Sequence, residues 1–470
     1  MNNKINDNKT VQQLSIDFLN LNHNKNILRF LTCGSVDDGK STLIGRLLHD
    51  TKQIYSDQLI SLQNDSKRHG TQGNNVDYAL LVDGLQAEIE QGITIDVAYR
   101  YFYTKKRKFI IADTPGHAQY TCNMVTGAST CDLAVLLVDA KKGLLEQTFR
   151  HAFIAKLLGI RYLLVAINKM DTVRYQQEIF NAIKKKFSEF IMRLSSEISV
   201  YFIPISALNG ENIVFSNNFA NWYKGKTLLQ FIENIEINNS ITNKRCMCFP
   251  IQYVNRLTSD FRGYAGTVAQ GTLSIGQHVK ILPSNHYSVI SNIITYDRNF
   301  KKVESNHPVT ITLKDNLDIS RGDVLVDSKS IISVTKKITA TIVWMSSSNL
   351  RLNSLYDIKI NHKKTRGLIR QIYYVINITN LQKENANSLS LNEIGVVEIN
   401  FDELIVCDTY KNNKTLGGFI IIDPNNNETI GAGMIKNILI NQNILNVSHT
   451  STFEDDLKKI IKKHFPHWNI

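Results

Sequence analysis

The sequence feature that most constrains the fold is a glycine-rich loop near the N-terminus. Gly34-Ser-Val-Asp-Asp-Gly39-Lys40-Ser41 follows an apolar run and precedes a helical pattern. It fits G-x-x-x-x-G-K-S/T, in which the glycines let successive backbone N–H groups surround a phosphate. The helix that follows turns its positive end toward the anion, so the loop is expected between a strand and a helix. The sequence therefore predicts an α/β domain that binds a phosphorylated ligand.

Apolar strand-length runs alternate with helical patterns through the first half of the chain. Strands are predicted at 27–33, 108–113, 133–139, 162–168 and 200–206, and helices at 40–50, 145–158 and 176–194. Because these strands are apolar along their whole length, we expect both of their faces to be buried, as in a mostly parallel sheet. The first half is thus predicted to be an α/β P-loop domain.

After about residue 244 the pattern changes to short strands of alternating polarity, punctuated by glycine, which indicates two consecutive β-barrels. The predicted organisation is a polar extension over 1–26, the P-loop domain over 27–240, barrels over 245–330 and 336–440, and a tail over 441–470. The tail ends in a short amphipathic helix. Two roles are open for this helix, capping a barrel and docking a partner, and we favour docking within the chain.

Length and composition exclude several classes of protein. The chain has 470 residues, and at about 100–200 residues per domain this predicts about three domains. No apolar run approaches the roughly 18 residues that a membrane helix needs, and residues 1–26 lack the pattern of a secretory signal. The six cysteines are scattered, so reduced thiols are expected. We expect a cytoplasmic protein without a membrane segment.

The chain carries 54 Lys and Arg against 42 Asp and Glu, a formal net charge of +12. Such an excess permits binding of nucleic acid or polyphosphate. The basic residues form no concentrated stripe, and Lys, Asn and Ile are abundant throughout the chain. We favour a general compositional bias over a nucleic-acid surface and expect no nucleic-acid partner.

The P-loop residues have distinct predicted roles. Lys40 reaches the β- and γ-phosphates, and Ser41 offers its hydroxyl to Mg²⁺. Lys40 is accordingly placed among the catalytic residues. The predicted nucleotide contacts here are Gly34, Ser35, Val36, Asp37, Asp38, Gly39, Lys40, Ser41 and Thr42.

A second motif, Asp113-Thr114-Pro115-Gly116-His117, stands at the end of another apolar strand. Asp113 is placed to hold the metal through water, and Gly116 to donate its backbone N–H to the γ-phosphate. His117 follows that glycine, where a group that orients the attacking water is needed. The alternative for His117 is an ordinary surface or core histidine, and its position in this motif favours the catalytic role.

A third motif, Asn168-Lys169-Met170-Asp171, is predicted to read the base. A carboxylate at Asp171 accepts from both N1–H and the exocyclic amine of guanine, a donor pair that adenine lacks. The stem of Lys169 covers the base plane, and Asn168 ties loop segments together. Further along, a backbone N–H in Ser206-Ala207-Leu208 reaches guanine O6.

Gly92-Ile93-Thr94 supplies the last element of the predicted site. Thr94 precedes Asp113 and is placed as a second Mg²⁺ ligand in a mobile switch segment, and with Lys40 and His117 among the catalytic residues. The alternative is that 93–95 forms an ordinary strand. Because the motifs follow the order that a GTPase requires, each at a strand end, we predict that the chain binds GTP with Mg²⁺.

These motifs resemble the translation-factor family of P-loop GTPases, and two following barrels fit the same family. Trp222-Tyr-Lys-Gly225 and Thr429-Ile-Gly-Ala-Gly433 look like elongation factor 1-alpha and its relatives. Within that group the chain resembles the large, GTPase subunit of bacterial sulfate adenylyltransferase from about residue 27 to 468. The segments that carry this narrower resemblance are 34–42, 66–73, 83–87, 95–101, 252–256, 260–266, 318–323 and 464–468.

The narrower resemblance implies a heterodimer. A small subunit would carry the adenylyl-transferring site and make adenosine 5′-phosphosulfate and pyrophosphate from ATP and sulfate, the first step of sulfate assimilation. This chain would hydrolyse GTP to drive that uphill step, gated by switch segments that sense the γ-phosphate. The resemblance also places Val36 and Ile93 beside His117, where they would control its access to water.

Three positions depart from the pattern of that family, and each removes a charge near the switches. They are Ile89 in place of Arg, Ala118 in place of Glu and Cys122 in place of Arg. The nucleotide motifs are intact. One interpretation is that these changes alter the ordering of the switch segments or the contact with the partner. The other is tolerated sequence drift at exposed positions, which we favour because exposed ion pairs contribute little to stability.

Two other functions compete with this interpretation. An elongation factor that delivers aminoacyl-tRNA would have the same GTPase core, but Gly34-Ser-Val-Asp-Asp and Phe465-Pro-His-Trp468 favour the sulfate adenylyltransferase family. A regulator that binds GTP without hydrolysis is disfavoured by the presence of Lys40, Ser41, Thr94 and His117.

Overall fold

The structure is a computed structural model that describes residues 26–69, 76–82, 86–91, 93–216, 220–237, 245–256, 261–295 and 299–439. The predicted extension before Asn26 and the predicted tail with its helix lie outside the described residues. The described residues fall into two compact units. One unit holds the α/β domain and the segment Ile376–Glu384. The other holds the rest of the described residues after Asn238, which form the two β-domains.

The α/β unit is built on one six-stranded sheet in the order β2-β3-β1-β4-β5-β6. Its strands are β1 (Ile27–Cys33), β2 (Ala98–Tyr103), β3 (Lys108–Asp113), β4 (Leu133–Asp139), β5 (Tyr162–Asn168) and β6 (Ser199–Pro204). All neighbours are parallel except β2, which runs antiparallel to β3. The predicted mostly parallel sheet is confirmed.

Seven α-helices in the described part of this unit connect or flank the strands. They are α1 (Lys40–Asp50), α2 (Ser56–His69), α3 (Gln86–Gln91), α4 (Thr121–Ser129), α5 (Glu146–Leu157), α6 (Gln177–Leu194) and α7 (Leu228–Asn234). In α6 the buried residues are Phe180, Ile183, Phe187, Phe190 and Ile191. Their spacing of three and four positions places them on one face of the helix, while polar residues cover the rest.

The sheet positions the nucleotide motifs because its central strands are buried on both faces. Every residue of β4 is buried, and β1 pairs in parallel with β3 and β4, as β4 does with β5. Parallel strands end at the same edge of a sheet, so the loops after β1, β3 and β5 meet there. These loops carry the three predicted nucleotide motifs.

The first β-domain is a closed barrel with strand order β10-β11-β13-β8-β7-β14. Strands β9 and β12 form a separate two-stranded sheet. The strands of this domain are β7 (Cys248–Asn255), β8 (Gly263–Thr267), β9 (Thr272–Ser274), β10 (His278–Leu282), β11 (His286–Ile294), β12 (Lys302–Glu304), β13 (Pro308–Leu313) and β14 (Val324–Asp327).

The second β-domain closes because β16 pairs with both β20 and β17. Its strand order is β16-β20-β21-β15-β19-β17, with β18 added next to β17. The elements are β15 (Ser333–Trp344), β16 (Leu355–Ile360), β17 (Lys363–Ile376), β18 (Lys383–Glu384), β19 (Ile394–Cys407), α8 (Lys414–Gly417), β20 (Gly418–Ile422) and β21 (Thr429–Leu439). The expectation of two consecutive β-barrels is therefore correct, and the strands of both barrels pair in antiparallel fashion.

The two barrels share a buried cluster. It consists of Cys248, Leu282, Val324 and Val326 from the first barrel with Val406 and Leu416 from the second. Beside it, Asn413 Nδ2 donates to Gln270 Oε1 at 3.0 Å, and Gln270 and Asn413 are both buried. The barrels are thus joined by an apolar core and a buried hydrogen bond.

One strand of the α/β unit has bounds that differ from the sequence prediction. The strand expected at 200–206 is Ser199–Pro204, and Ser206 makes only an isolated bridge with Glu211. The alternative considered for residues 93–95, an ordinary strand, is not observed: residues 93–97 have no regular secondary structure, and β2 begins at Ala98 and forms the edge of the sheet. Within the described residues, no helix is both long and apolar enough to cross a membrane.

Candidate functional site

The P-loop lies between β1 and α1, as predicted, and its two glycines have positive φ. Gly34 has φ 154° and Gly39 has φ 91°. A Cβ on Gly34 would lie 2.8 Å from the carbonyl oxygen of Leu137, and a Cβ on Gly39 would lie 2.5 Å from Asn168 Nδ2. The loop is therefore packed closely against β4 and the last residue of β5, and both positions require glycine.

Lys40 projects into the P-loop rather than into solvent. Its Nζ donates to the carbonyl oxygens of Gly34 at 3.1 Å and Ser35 at 2.8 Å. Burial lowers the pKa of Lys40, and Asp113 and Asp38 oppose that effect. A Cβ on Gly116 would lie 2.5 Å from Lys40 Nζ. The loop after β3 therefore passes directly over the lysine.

The remaining P-loop residues take up different positions. The buried Asp38 accepts from the backbone N–H of Ser35 through Oδ2 at 2.6 Å, and burial raises the pKa of Asp38 to about 6. Asp37 is exposed and has φ 66°. Val36, Ser41 and Thr42 are half-buried. Asp38 thus braces the loop with its side chain, in addition to its predicted backbone contact.

Asp113 ends β3 beside the P-loop strand. Its Oδ1 accepts from Thr32 Oγ1 at 3.1 Å, and burial raises the pKa of Asp113 to about 6, although Lys40 opposes the shift. Thr114 Oγ1 donates to the carbonyl oxygen of Thr32 at 2.7 Å. These two hydrogen bonds fix the end of β3 against β1.

Farther along the loop after β3, Pro115 and Gly116 are buried, whereas His117 is exposed. The backbone N–H of Gln119 donates to His117 Nδ1 at 3.4 Å. Thr94 is half-buried in the irregular segment between α3 and β2, and Gly92 lies outside the described residues. In the described part of the chain, neither His117 nor Thr94 hydrogen-bonds to a P-loop side chain.

Asn168 joins three loops at the end of β5. Its Nδ2 donates to the carbonyl oxygen of Asp38 at 2.8 Å, and its Oδ1 accepts from the backbone N–H of Ala207 at 2.9 Å. Asn168 is buried. The P-loop, the loop after β5 and the loop after β6 therefore have a fixed relative arrangement.

Asp171 and Lys169 each have a partner that holds the side chain. Ser206 Oγ donates to Asp171 Oδ1 at 2.7 Å, and Lys169 Nζ lies 3.0 Å from Asp139 Oδ2. The pKa of Asp139 is lowered: burial opposes the shift, but the hydrogen bonds from Lys169 and from the backbone N–H of Lys141 outweigh it. Met170 is buried and Leu208 is exposed.

Sequence reasoning missed Asp139 as the residue that orients Lys169. Its signal in the sequence is its position directly after the buried run of β4, at the same edge as the other motifs. Of the three departures, Cys122 is half-buried with its Sγ 3.4 Å from Asn123 Oδ1. The structure describes the backbone of Ile89 and Ala118 only.

The residues present suit a nucleoside triphosphate with its cation. A Cβ on Gly116 would fill the space above Lys40, and Ser35 Oγ is buried without a hydrogen-bond partner among the described residues. The hydroxyls of Ser41 and Thr94 and the carboxylate of Asp113 are hard oxygen donors, the type that Mg²⁺ prefers. The fold and the site define the chain as a P-loop GTPase.

Two domain families match separate parts of the chain. Residues 25–240 match the elongation factor Tu GTP binding domain, and residues 337–436 match the GTP-eEF1A C-terminal domain-like family. The solved structure of Sup35 complexed with GDP aligns with 88% of this chain and 95% of its own, with a TM-score of 0.41 and 21% identity. That likeness is too remote to bear on ligand or function.

Full-length relatives are much closer. Sulfate adenylyltransferase subunit 1 of Buchnera aphidicola subsp. Acyrthosiphon pisum (strain APS) is 55% identical, and the alignment covers 96% of each chain. Subunit 1 of Erwinia tasmaniensis is 53% identical over 96% of this chain and 95% of its own. The chain belongs to the sulfate adenylyltransferase subunit 1 family, within the translation-factor GTPase superfamily.

Proposed function

We propose that this chain is the GTP-hydrolysing subunit of a heteromeric sulfate adenylyltransferase. GTP hydrolysis here drives the formation of adenosine 5′-phosphosulfate and pyrophosphate from ATP and sulfate on a partner subunit. The relatives that carry the name sulfate adenylyltransferase subunit 1 along the whole chain support this proposal. The observation that carries it is the GTPase site itself, in which Lys40, Gly116 and Asn168 bring the three nucleotide motifs together.

The P-loop binds and orients the phosphates of GTP. Lys40 supplies the cation, and the backbone N–H groups at the start of α1 supply donors and the positive end of a helix. Asp38 keeps the loop in its shape by accepting from the backbone N–H of Ser35, and Asn168 does so by donating to the carbonyl oxygen of Asp38. A preorganised set of donors of this kind stabilises developing phosphate charge without rearrangement.

The loop after β5 selects guanine. Ser206 holds the Asp171 carboxylate through a 2.7 Å hydrogen bond, so its oxygens are preorganised for N1–H and the exocyclic amine. The ion pair with Asp139 directs Lys169 along the edge of the sheet, and its stem is placed to cover the base plane.

His117 orients the attacking water in this proposal. Its side chain is exposed beside the buried Gly116, so it is free to approach the γ-phosphate from the solvent side. Ser41, Thr94 and Asp113 are the residues that would hold Mg²⁺, which when bound neutralises phosphate charge. Thr94 would bind it only in the triphosphate state.

The partner that we propose is the small subunit with the adenylyl-transferring site, and the compartment is the cytoplasm. The proposed domain boundaries are 27–240, 245–330 and 336–440.

The translation-factor alternative is less supported, because the relatives that match 96% of this chain at 51–55% identity are sulfate adenylyltransferase subunits.

The test is GTP hydrolysis by the purified chain, alone and with a sulfate adenylyltransferase small subunit, ATP and sulfate. Strong stimulation that needs all three additions is expected. A control reaction that contains the small subunit and ATP but no sulfate separates the effect of turnover by the partner from the effect of docking alone. Stimulation by ribosomes with aminoacyl-tRNA instead would contradict the proposal and favour an elongation factor.

A further inference from the structure

The segment that follows Thr94 is held by two side chains from different helices. Residues 93–97 have no regular secondary structure and connect α3 to β2. Ile95, directly after Thr94, has its backbone N–H bound by one side chain and its carbonyl oxygen bound by another. The main chain at this point is therefore fixed by side chains rather than by the sheet.

The first of these side chains is Glu88 of α3. Its Oε1 accepts from the backbone N–H of Ile95 at 2.9 Å and of Asp96 at 3.3 Å. Glu88 is 5% exposed. A buried carboxylate is costly unless donors satisfy it, and main-chain N–H groups of the segment that carries Thr94 are among its donors.

The second side chain is Asn123 of α4. Its Nδ2 donates to the carbonyl oxygen of Ile95 at 2.7 Å. Helix α4 follows the loop that contains Gly116 and His117. The Asn123 contact therefore connects the Thr94 segment to the element next to the proposed catalytic histidine.

We propose that Glu88 and Asn123 are positioning residues that hold the main chain at Ile95 so that the Thr94 hydroxyl faces the triphosphate form of the nucleotide. This inference rests on the proposed GTPase function. Because Thr94 has a role only when the γ-phosphate and Mg²⁺ are present, the two residues act on the affinity for GTP and leave the affinity for GDP unchanged. The hydrogen bonds that carry the inference run to the main chain of the Thr94 segment and not to the P-loop or the base-reading motif.

The experiment measures binding of fluorescent GDP and of a non-hydrolysable GTP analogue with Mg²⁺ to the full chain. Loss of a buried acceptor or donor typically weakens an interaction roughly tenfold or more. Glu88→Ala and Asn123→Ala are each expected to weaken the analogue about tenfold while changing GDP affinity less than about twofold. Glu88→Gln is expected to restore most of the loss, since its amide oxygen accepts the same two N–H groups.

Matched controls come from the same helices. Gln91 of α3 and Thr126 of α4 are exposed, and Gln91→Ala and Thr126→Ala are expected to bind both nucleotides as the wild type does. GDP affinity also reports folding, because it depends on the P-loop and the base-reading loop. A Glu88→Ala protein that loses GDP and the analogue equally would show a merely structural role and overturn the inference.

A double variant tests whether Glu88 acts through Thr94. Residues that act as one unit have non-additive effects. Glu88→Ala combined with Thr94→Ala is expected to bind the analogue no more weakly than Thr94→Ala alone. Fully additive losses, or an unchanged analogue affinity in both single variants, would refute the inference. Failure of the wild type to bind either guanine nucleotide would instead refute the proposed function.

Discussion

At the scale of single residues, the P-loop lysine combines burial with a positive charge. The Lys40 ammonium lies between two carbonyl oxygens, and burial lowers its pKa. Charge-assisted hydrogen bonds to phosphate oxygens are roughly twice as strong as neutral ones, and in this position they compensate for the lost hydration. Two of the three ammonium donors already bind carbonyl oxygens, so a bound phosphate adds a charged acceptor to partners that the lysine already has.

Lys40→Ala is expected to weaken both GDP and GTP by roughly 100-fold or more, because the phosphates lose their buried cation. Equilibrium binding of a fluorescent nucleotide measures this. Lys185, exposed on α6, provides the control, since Lys185→Ala removes a charge away from the site. Tight binding by Lys40→Ala would contradict the assigned role.

His117 tests the chemistry separately from binding. His117→Ala is expected to leave GTP affinity nearly unchanged and to slow single-turnover hydrolysis by roughly 100- to 10,000-fold, the range for a lost positioned proton-handling group. His278→Ala, at an exposed histidine of β10, should hydrolyse at the wild-type rate. Normal hydrolysis by His117→Ala would show that another group orients the water.

Base selection depends on the charge of Asp171. Asp171→Asn is expected to shift the ratio of GTP to xanthosine triphosphate affinity by about 10- to 100-fold toward xanthosine triphosphate, because the new amide donates to the second oxo group. Competition binding measures the ratio. The control is Asp57→Asn, at the exposed start of α2, which should leave this affinity ratio unchanged. An unchanged ratio in Asp171→Asn would show that Asp171 does not contact the base.

At the scale of secondary-structure elements, burial decides what the sequence predicts. β1, β3, β4 and β5 have the predicted bounds, because central strands are apolar along their length. β2 lies at the edge of the sheet with Tyr99, Tyr101 and Tyr103 exposed, so it lacks that pattern. Glu88 and Asn123 could not be predicted as partners of the Thr94 segment, since only the fold brings α3 and α4 to it.

Helix α5 contains a buried histidine that gives a pH-dependent prediction. His151 is 2% exposed and its Nδ1 has no hydrogen-bond partner among the described residues. Burial lowers its pKa to about 3, and Lys40 and Arg150 act in the same direction. At pH values between about 3 and 6.5, His151 is therefore neutral in the folded state and protonated in the unfolded state.

Because the folded pKa lies below the unfolded value, this contribution to stability is complete above pH 6.5 and declines as pH falls toward 3. Relative to His151→Leu, the wild type is expected to lose about 1.4 kcal/mol of unfolding free energy per pH unit between about pH 6 and about pH 4.5. Urea denaturation followed by helical circular dichroism measures the difference. Parallel pH profiles of the two proteins would refute it.

At the scale of the whole molecule, the sequence predicts two barrels but not the buried cluster between them. The cluster residues occupy the ends of strands and the short helix α8, where no periodic pattern distinguishes a core position from a surface one. The buried pair of Asn413 and Gln270 is likewise invisible in the sequence, because the two residues lie far apart in the chain. We therefore expect the two barrels to unfold as one unit, although each closes its own sheet.

Leu416 is fully buried in this shared core, so Leu416→Asp places a carboxylate among apolar groups, which is strongly destabilising. Differential scanning calorimetry of the full chain with and without GDP identifies the α/β transition as the one that GDP raises. The wild-type barrels are expected to unfold in one GDP-insensitive transition, and Leu416→Asp to split it into two. Leu391→Asp, at an exposed leucine of the second barrel, should keep the single transition. A single unshifted transition in Leu416→Asp would show that the barrels are stable independently of their common core.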